Sequence, residues 1–252
     1  MLRRVDVSKL ERYYQGSGSS GCQLKWFSHN EFVKLSVLGY EHVAEVFTSE
    51  LLSCSDLLGY DFVKYHACDI YEDGVFLGQG CYSESFLKQG ETFVSAAKML
   101  DSSMESYSLS YEEFIEFVFE YTGKDFKQYI NMILAVDTIV KNEDRHFRNF
   151  GFIKRGNGYL PAPIFDNGAG CLSDVISYPM NVSVEDNLRN VYAKPFSVIF
   201  GKDIKDFNRV RIDYDKFKRL NPYWSNNKIC IRAYDVILRG LTETEGWLWE
   251  RL

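Results

Sequence analysis

The chain has 252 residues, 46% hydrophobic and 25% charged, with a formal net charge of −6 at pH 7. A chain of this size buries roughly 70–75% of its unfolded surface, enough for one large domain or two small lobes, and its acidic balance argues against general affinity for nucleic acid or an anionic membrane. No run approaches the ~18 apolar residues of a membrane span, and the basic start Met1-Leu2-Arg3-Arg4 lacks the apolar stretch of a secretory signal.

Residues 10–35 predict strand, loop, strand, strand. Arg12-Tyr13-Tyr14 lead into Gly16-Ser17-Gly18-Ser19-Ser20-Gly21, followed by extended segments at 23–27 and 32–35. The glycine run fits Gly-x-Gly-x-x-Gly, where backbone amides can approach phosphates because no Cβ intervenes. Taken alone it also reads as a plain flexible loop. Gly21 precedes Cys22-Gln23, which excludes a Walker loop. The segment after it is extended and aromatic, whereas a dinucleotide fingerprint opens a helix. Lys34 lies in the last of these strands. Residues 40–52 read as a helix on which Glu41 and Glu45 share a face; Glu45, near its middle, is the expected partner of Lys34, with Glu41 as the alternative. By themselves these residues are equally a solvated acidic face and a surface lysine. Asp61 to Tyr65 alternates and suits a connection between lobes. The glycine-rich stretch from Tyr71 to Gln89 reads as turns.

Ser110 to Tyr121 predicts a helix with a Ser110/Glu113 capping box, ended by Gly123. A second helical stripe has apolar residues at 126, 129, 130, 133, 136, 139 and 140. It delivers the polar loop Lys141-Asn142-Glu143-Asp144-Arg145-His146-Phe147-Arg148-Asn149-Phe150-Gly151. A Gly-Asn-Gly turn at 156–158 follows, then an apolar segment and the turn Asp166-Asn167-Gly168. Residues 167–195 are polar and irregular, with Arg189 and Lys194 their basic residues. Residues 228–239 predict a helix capped by Gly240, and Trp224, Trp247 and Trp249 read as packing anchors. The six cysteines (22, 54, 68, 81, 171, 230) lack Cys-x-x-Cys spacing, so they read as reduced, buried thiols of a cytoplasmic protein. The four histidines form no ligand pair with them, and no zinc site is expected.

Four residues separate Asp144 from Asn149, the interval of a kinase catalytic loop, in which the aspartate takes the acceptor hydroxyl proton and the asparagine holds magnesium. Asp166 is the expected second metal ligand. Phosphoryl transfer needs positioning and charge neutralisation more than covalent help, and oxygen donors suit a hard cation. Each piece alone is a common surface turn; the two in order, between apolar elements, point to a kinase site. His146 is either structural or a stabiliser of the transferring phosphate. Arg145 is expected to pair with a carboxylate and fix the loop. On the same scheme Lys34 and the 16–21 loop hold phosphates, and backbone groups at Val63 and Tyr65 take the adenine edge.

Asn142-x-Asp144-Arg145-His146-x-x-Asn149-Phe150-Gly151, followed by Ala162-Pro163-Ile164-Phe165-Asp166-Asn167-Gly168, resembles the HipA-type bacterial serine/threonine kinases. The resemblance is strongest over 126–170 and weaker in the N-terminal third and at Ala193-Lys194-Pro195-Phe196. It implies an α+β, bilobal protein-kinase-like fold: a small β-rich N-lobe over 1–66 and a larger, mainly helical C-lobe over 67–252. It also implies ATP and Mg2+ as cofactors and a protein serine or threonine as acceptor. Some members of the family autophosphorylate in the glycine-rich loop, which makes Ser17, Ser19 and Ser20 candidates. An antitoxin-like regulator is the implied partner, although the extra N-terminal domain that longer members use with their antitoxins is not recognisable. Phosphoinositide kinases share the shorter Asp-Arg-His-x-x-Asn string, but the few cations at 167–195 favour a protein hydroxyl over a lipid headgroup. A nucleotide-binding pseudokinase regulator and a small-molecule kinase are the other readings.

Overall fold

The computed structural model describes residues 2–13, 24–28, 30–59, 61–100, 109–220 and 227–252. The expected glycine loop, Gly16 to Gly21, lies outside the described residues, as do Cys22, His29 and Trp224.

Six strands form the N-terminal sheet: β1 (Arg3–Asp6), β2 (Glu11–Tyr13), β3 (Lys25–Ser28), β4 (Glu31–Leu35), β5 (His66–Glu72) and β6 (Val75–Glu84). Their order is β1-β5-β6-β4-β3-β2, antiparallel except for the β1–β5 pair. On β4, Val33 and Leu35 join Trp26, Val5, Val7, Cys68 and Ile70 in one buried cluster. Strand alternation then sends Lys34 to the other face, where α1 (Glu41–Leu52) packs against β5 and β6.

Two expectations fail here. A lobe boundary at 66/67 would cut this sheet, because β5 and β6 pair within it. The glycine-rich stretch is not a set of turns but contains the ten-residue strand β6. A Cβ at Gly80 would overlap the Lys34 carbonyl and crowd Ile70, so this glycine serves close strand approach.

The rest of the chain is mostly helical around a second, three-stranded antiparallel sheet of β7 (Glu91–Ser95), β8 (Gly151–Arg155) and β9 (Gly158–Pro161). After α2 (Ala96–Met99) comes α3 (Tyr111–Thr122), which has the anticipated Ser110/Glu113 capping box and ends at Gly123 with φ 69°. With α4 (Lys127–Val140) these elements bury an aromatic-rich core that includes Phe114, Phe126, Phe150 and Phe152.

The elements that follow are α5 (Val184–Leu188), β10 (Val210–Ile212), α6 (Tyr214–Arg219), α7 (Lys228–Thr244) and β11 (Trp249–Arg251), with β10 and β11 parallel. Both α1 and α4 pack on α7, whose Ala233, Ile237 and Leu241 are fully buried. Gly240 does not cap this helix, which runs on to Thr244. A Cβ there would overlap the Ile139 carbonyl, so Gly240 marks the crossing of α7 and α4. Trp249 is buried as expected, whereas Trp247 is half-exposed, against Gly201.

The fold is mixed α+β. The five described cysteines are free and buried. Among the described residues no helix is long and apolar enough to cross a membrane.

Candidate active site

Three segments remote in sequence meet at the buried Lys34 ammonium. Its Nζ lies 2.6 Å from Glu45 Oε1 and 2.7 Å from Asp166 Oδ1. It also donates to the Tyr65 hydroxyl at 3.2 Å and stands over that ring, 4.8 Å from its centroid. Burial disfavours the ammonium charge, but Asp166 and Glu45 override it and hold the Lys34 pKa above its ordinary value. Glu45 thus takes the role left open between two glutamates. Glu41 has another: its carboxylate accepts the backbone N–H groups of Val37, Leu38 and Gly39 at 2.8–3.0 Å, fixing the entry to α1.

Backbone groups around Val63 to Tyr65 are the expected adenine contacts, and two of their N–H groups already have partners within the protein. The Val63 N–H donates to the Ile164 carbonyl at 2.9 Å and the Tyr65 N–H to Ser49 Oγ at 3.3 Å. The first of these follows from the parallel bridge between Phe62 and Ile164, the second from the packing of this segment beside Ser49 of α1. Val63 instead lines a cavity of ≈ 1070 Å³ whose walls include none of Lys34, Glu45, Asp144, Asn149 or Asp166. Tyr65 does reach the site, by its phenol, whose pKa burial pushes up.

Helix α4 ends at Lys141 in the left-handed region, φ 57°, which turns the chain into the polar loop. Arg145 organises that loop. It is fully buried and pairs with Asp137 of α4 through Nε (2.8 Å) and Nη2 (2.9 Å). Its Nη1 donates to the carbonyls of Asn149 and Phe165, both at 2.7 Å, and its Nη2 to Asn167 Oδ1 at 2.7 Å. One guanidinium therefore ties the loop end to the segment carrying Asp166. From the other side Glu45 Oε2 accepts the Asn167 N–H at 2.8 Å. Asp166 itself has φ 60°, a conformation costing ~1–3 kcal/mol for a non-glycine residue that its surroundings must impose.

Asp144 and its neighbours fill the open side. Asp144 Oδ1 is 3.1 Å from Lys194 Nζ, and Oδ2 is 3.9 Å from His146 Nε2. His146 Nδ1 accepts the Arg148 N–H at 3.3 Å, which leaves Nε2 for the carboxylate side. Burial lowers the His146 pKa, opposed by Asp144, so the ring favours its neutral form. Asn149 Nδ2 donates to the Asp144 carbonyl at 3.2 Å, while Asn149 Oδ1 is buried with no hydrogen-bond partner. An orphaned buried acceptor calls for an explanation, and a cation is one.

The donor set fits magnesium. Burial opposes ionisation of Asp166, but Lys25, Lys34 and Arg145 override it and hold the carboxyl well below the usual range. An ionised carboxylate and an unpartnered amide oxygen are hard donors. Among the described residues no group of three or more His, Cys, Asp or Glu is placed to hold a metal alone. Magnesium characteristically takes one or two protein carboxylates and completes its shell with phosphates and water.

Lys25, Lys194 and Asp137 carry no local signal in the sequence that marks them for the site. Lys25 pairs in register with Lys34 across β3–β4, and its Nζ lies 3.5 Å from Asp166 Oδ2; a hairpin register drawn from the sequence would have found it. Lys194 sits in the short Ala-Lys-Pro-Phe string already noted as a weak likeness.

The HipA-like C-terminal domain family model matches residues 87–216. The serine/threonine-protein kinase CtkA of Helicobacter pylori (strain J99) is 31% identical over 133 residues, which span 50% of this chain and 36% of that protein. The crystal structure of the H. pylori proinflammatory kinase CtkA superposes with a TM-score of 0.55 at 18% identity, over 94% of this chain and 84% of that one. A HipA, HipB and operator DNA complex of Shewanella oneidensis MR-1 gives a TM-score of 0.46 at 15% identity, over 96% of this chain and 58% of that chain.

Proposed function

The chain belongs to the HipA-like C-terminal domain family, and on that premise we propose that it is an ATP- and magnesium-dependent kinase acting on serine or threonine of a protein. The observation that carries this reading is the Lys34 ammonium held between Glu45 and Asp166, a phosphate-gripping cation set against a metal-ligand carboxylate. We read the six-stranded sheet with α1 as a small N-terminal lobe that ends near Glu84, and the remainder as a larger helical lobe. The connection between them is then the stretch after β6, not Asp61 to Tyr65.

In the proposed reaction Asp144 accepts the proton of the acceptor hydroxyl. The hydroxyl oxygen bonds to the γ-phosphorus, the bond from that phosphorus to the bridging oxygen breaks, and ADP leaves with the electron pair. Lys34, kept in place by Glu45, neutralises phosphate charge, and His146 lies beside the base. Asn149 and Asp166 would hold magnesium, which supplies charge neutralisation on the phosphates. The glycine run 16–21 is the proposed cover for those phosphates, and Ser17, Ser19 and Ser20 are proposed self-acceptors. A cytoplasmic location and an antitoxin-like regulator complete the proposal.

The test is mass spectrometry of the purified protein after exposure to ATP and magnesium, alone and with generic protein acceptors. A phosphoserine or phosphothreonine is expected, and Asp144→Asn should slow its formation by roughly 10²–10⁴-fold. Nucleotide binding without any transfer would instead favour a pseudokinase regulator. Transfer confined to a metabolite or phosphoinositide would remove the protein-acceptor assignment.

A further inference from the structure

Both oxygens of Asp166, the candidate metal ligand, face ammonium groups. Lys34 Nζ lies 2.7 Å from Oδ1 and Lys25 Nζ 3.5 Å from Oδ2, the two lysines standing opposite each other on β4 and β3. A metal binding this carboxylate meets two like charges, and the repulsion falls if one of them leaves. The cations around Asp166 are Lys25, Lys34 and Arg145. Lys34 is also held by Glu45 at 2.6 Å and by Tyr65 at 3.2 Å. Arg145 directs its donors to Asp137, Asn167 and the carbonyls of Asn149 and Phe165. Neither can move without breaking these bonds.

Lys25 differs. Its side chain is only 15% exposed, yet among the described residues its ammonium has no closer partner than Asp166 Oδ2. At 3.5 Å that contact is longer than a charge-assisted hydrogen bond. An ammonium carries three donors, and a charge so nearly buried calls for partners. The flexible stem of a lysine lets the ammonium swing while its strand stays in register.

We propose that Lys25 is a movable counter-charge: it neutralises Asp166 in the nucleotide-free chain and turns to the phosphates of the nucleotide when Asp166 takes its metal. The phosphates come within its reach because they share that metal with the carboxylate Lys25 leaves. This rests on the ATP and magnesium reading above and deepens it. Metal and nucleotide then favour each other's binding, and Lys25 carries part of that coupling.

The test is binding, not turnover. Mn2+ stands in for Mg2+ and is followed by the loss of its free-ion electron paramagnetic resonance signal. Adenosine, and a nonhydrolysable ATP analogue at saturating Mn2+, are followed by calorimetry. Lys25→Met should tighten Mn2+ binding to the nucleotide-free chain about fivefold or more, and Lys25→Met/Asp166→Asn should lose that gain. Lys25→Met should also weaken the analogue roughly tenfold or more and leave adenosine unchanged. Adenosine binding reports that the variant is folded, and Lys25→Gln repeats both measurements with a neutral polar side chain. Lys25→Arg, which keeps the charge, should lie closer to the parent than either.

Mn2+ binding that is weakened or unchanged in both neutral variants would overturn the counter-charge, as would an unchanged affinity for the analogue. Adenosine binding lost in step with the analogue would also overturn it, since a merely structural lysine behaves that way. All three results leave the kinase reading in place. The expected opposite shifts without any phosphate transfer would uphold the counter-charge and remove the kinase activity alone. A parent chain that binds neither the analogue nor adenosine would remove both.

Discussion

Arg145 and Asp137 meet in a two-pronged ion pair, Nε to Oδ2 at 2.8 Å and Nη2 to Oδ1 at 2.9 Å, with side chains 1% and 2% exposed. Burying two charges offsets most of what their attraction contributes. The pair is better understood through the donors left over, which hold the backbone at Asn149 and Phe165 and the side chain of Asn167. It converts the end of α4 into a fixed seat for both sides of the candidate active site.

Removing one member strands the other. Arg145→Met should lower unfolding free energy by ~3–5 kcal/mol, because Asp137 is left charged and buried. Arg145→Lys should recover only part of this, since an ammonium cannot reproduce the planar fork. Urea unfolding followed by circular dichroism measures both; a loss under ~1 kcal/mol for Arg145→Met would contradict the arrangement.

The two glutamates of α1 should separate cleanly. Glu45→Gln weakens a charge-assisted bond to Lys34, and kcat/KM for ATP should fall ~10-fold or more, as the ~1.5–3 kcal/mol of such bonds implies. Glu41→Gln loosens the three N–H groups before α1, which should lower the melting temperature with less than a ~3-fold change in kcat/KM. The opposite pattern, with Glu41 governing ATP use, would exchange their assignments.

His42 gives the stability a pH dependence. Burial pushes its pKa from 6.5 down to about 4, against the pull of Glu41 and Asp69, and its Nδ1 lies 2.7 Å from Ser36 Oγ. Below pH 6.5 the unfolded chain binds a proton that the folded chain refuses until pH falls to about 4. Stability is therefore fully present above pH 6.5 and lost as pH falls through this window, by up to ~3 kcal/mol. Melting temperatures of the parent and His42→Gln proteins across this range should diverge, the variant's curve being flatter. Parallel curves would show that His42 does not carry the effect.

What could be read from the chain was local. Ser110 and Glu113 cap α3 from three residues apart, and the loop from Asn142 to Gly151 keeps its chemistry within ten. Asp166 was legible from its own turn, though not its left-handed backbone or its contact with Lys25. Lys194 was out of reach because its partner lies fifty residues away on another element. Glycine misled twice, at Gly80 and Gly240. The same residue signals a turn, a helix cap or a tight approach, and only the neighbouring backbone, unseen in sequence, distinguishes them. The partner of the Val63 N–H was hidden for a similar reason: the pairing of Phe62 with Ile164 spans about a hundred residues.

At the crossing of α7 with α4, a lone hydrogen on Gly240 faces the Ile139 carbonyl, two residues before the chain bends away at Lys141. That contact works as a gauge: the distance between two helix axes sets the height at which Asp144 and Asn149 sit. Any bulkier residue at 240 would act as a shim beneath the whole loop and displace both side chains together. Inactivating changes can therefore arise almost a hundred positions downstream, in a helix that touches no reacting atom.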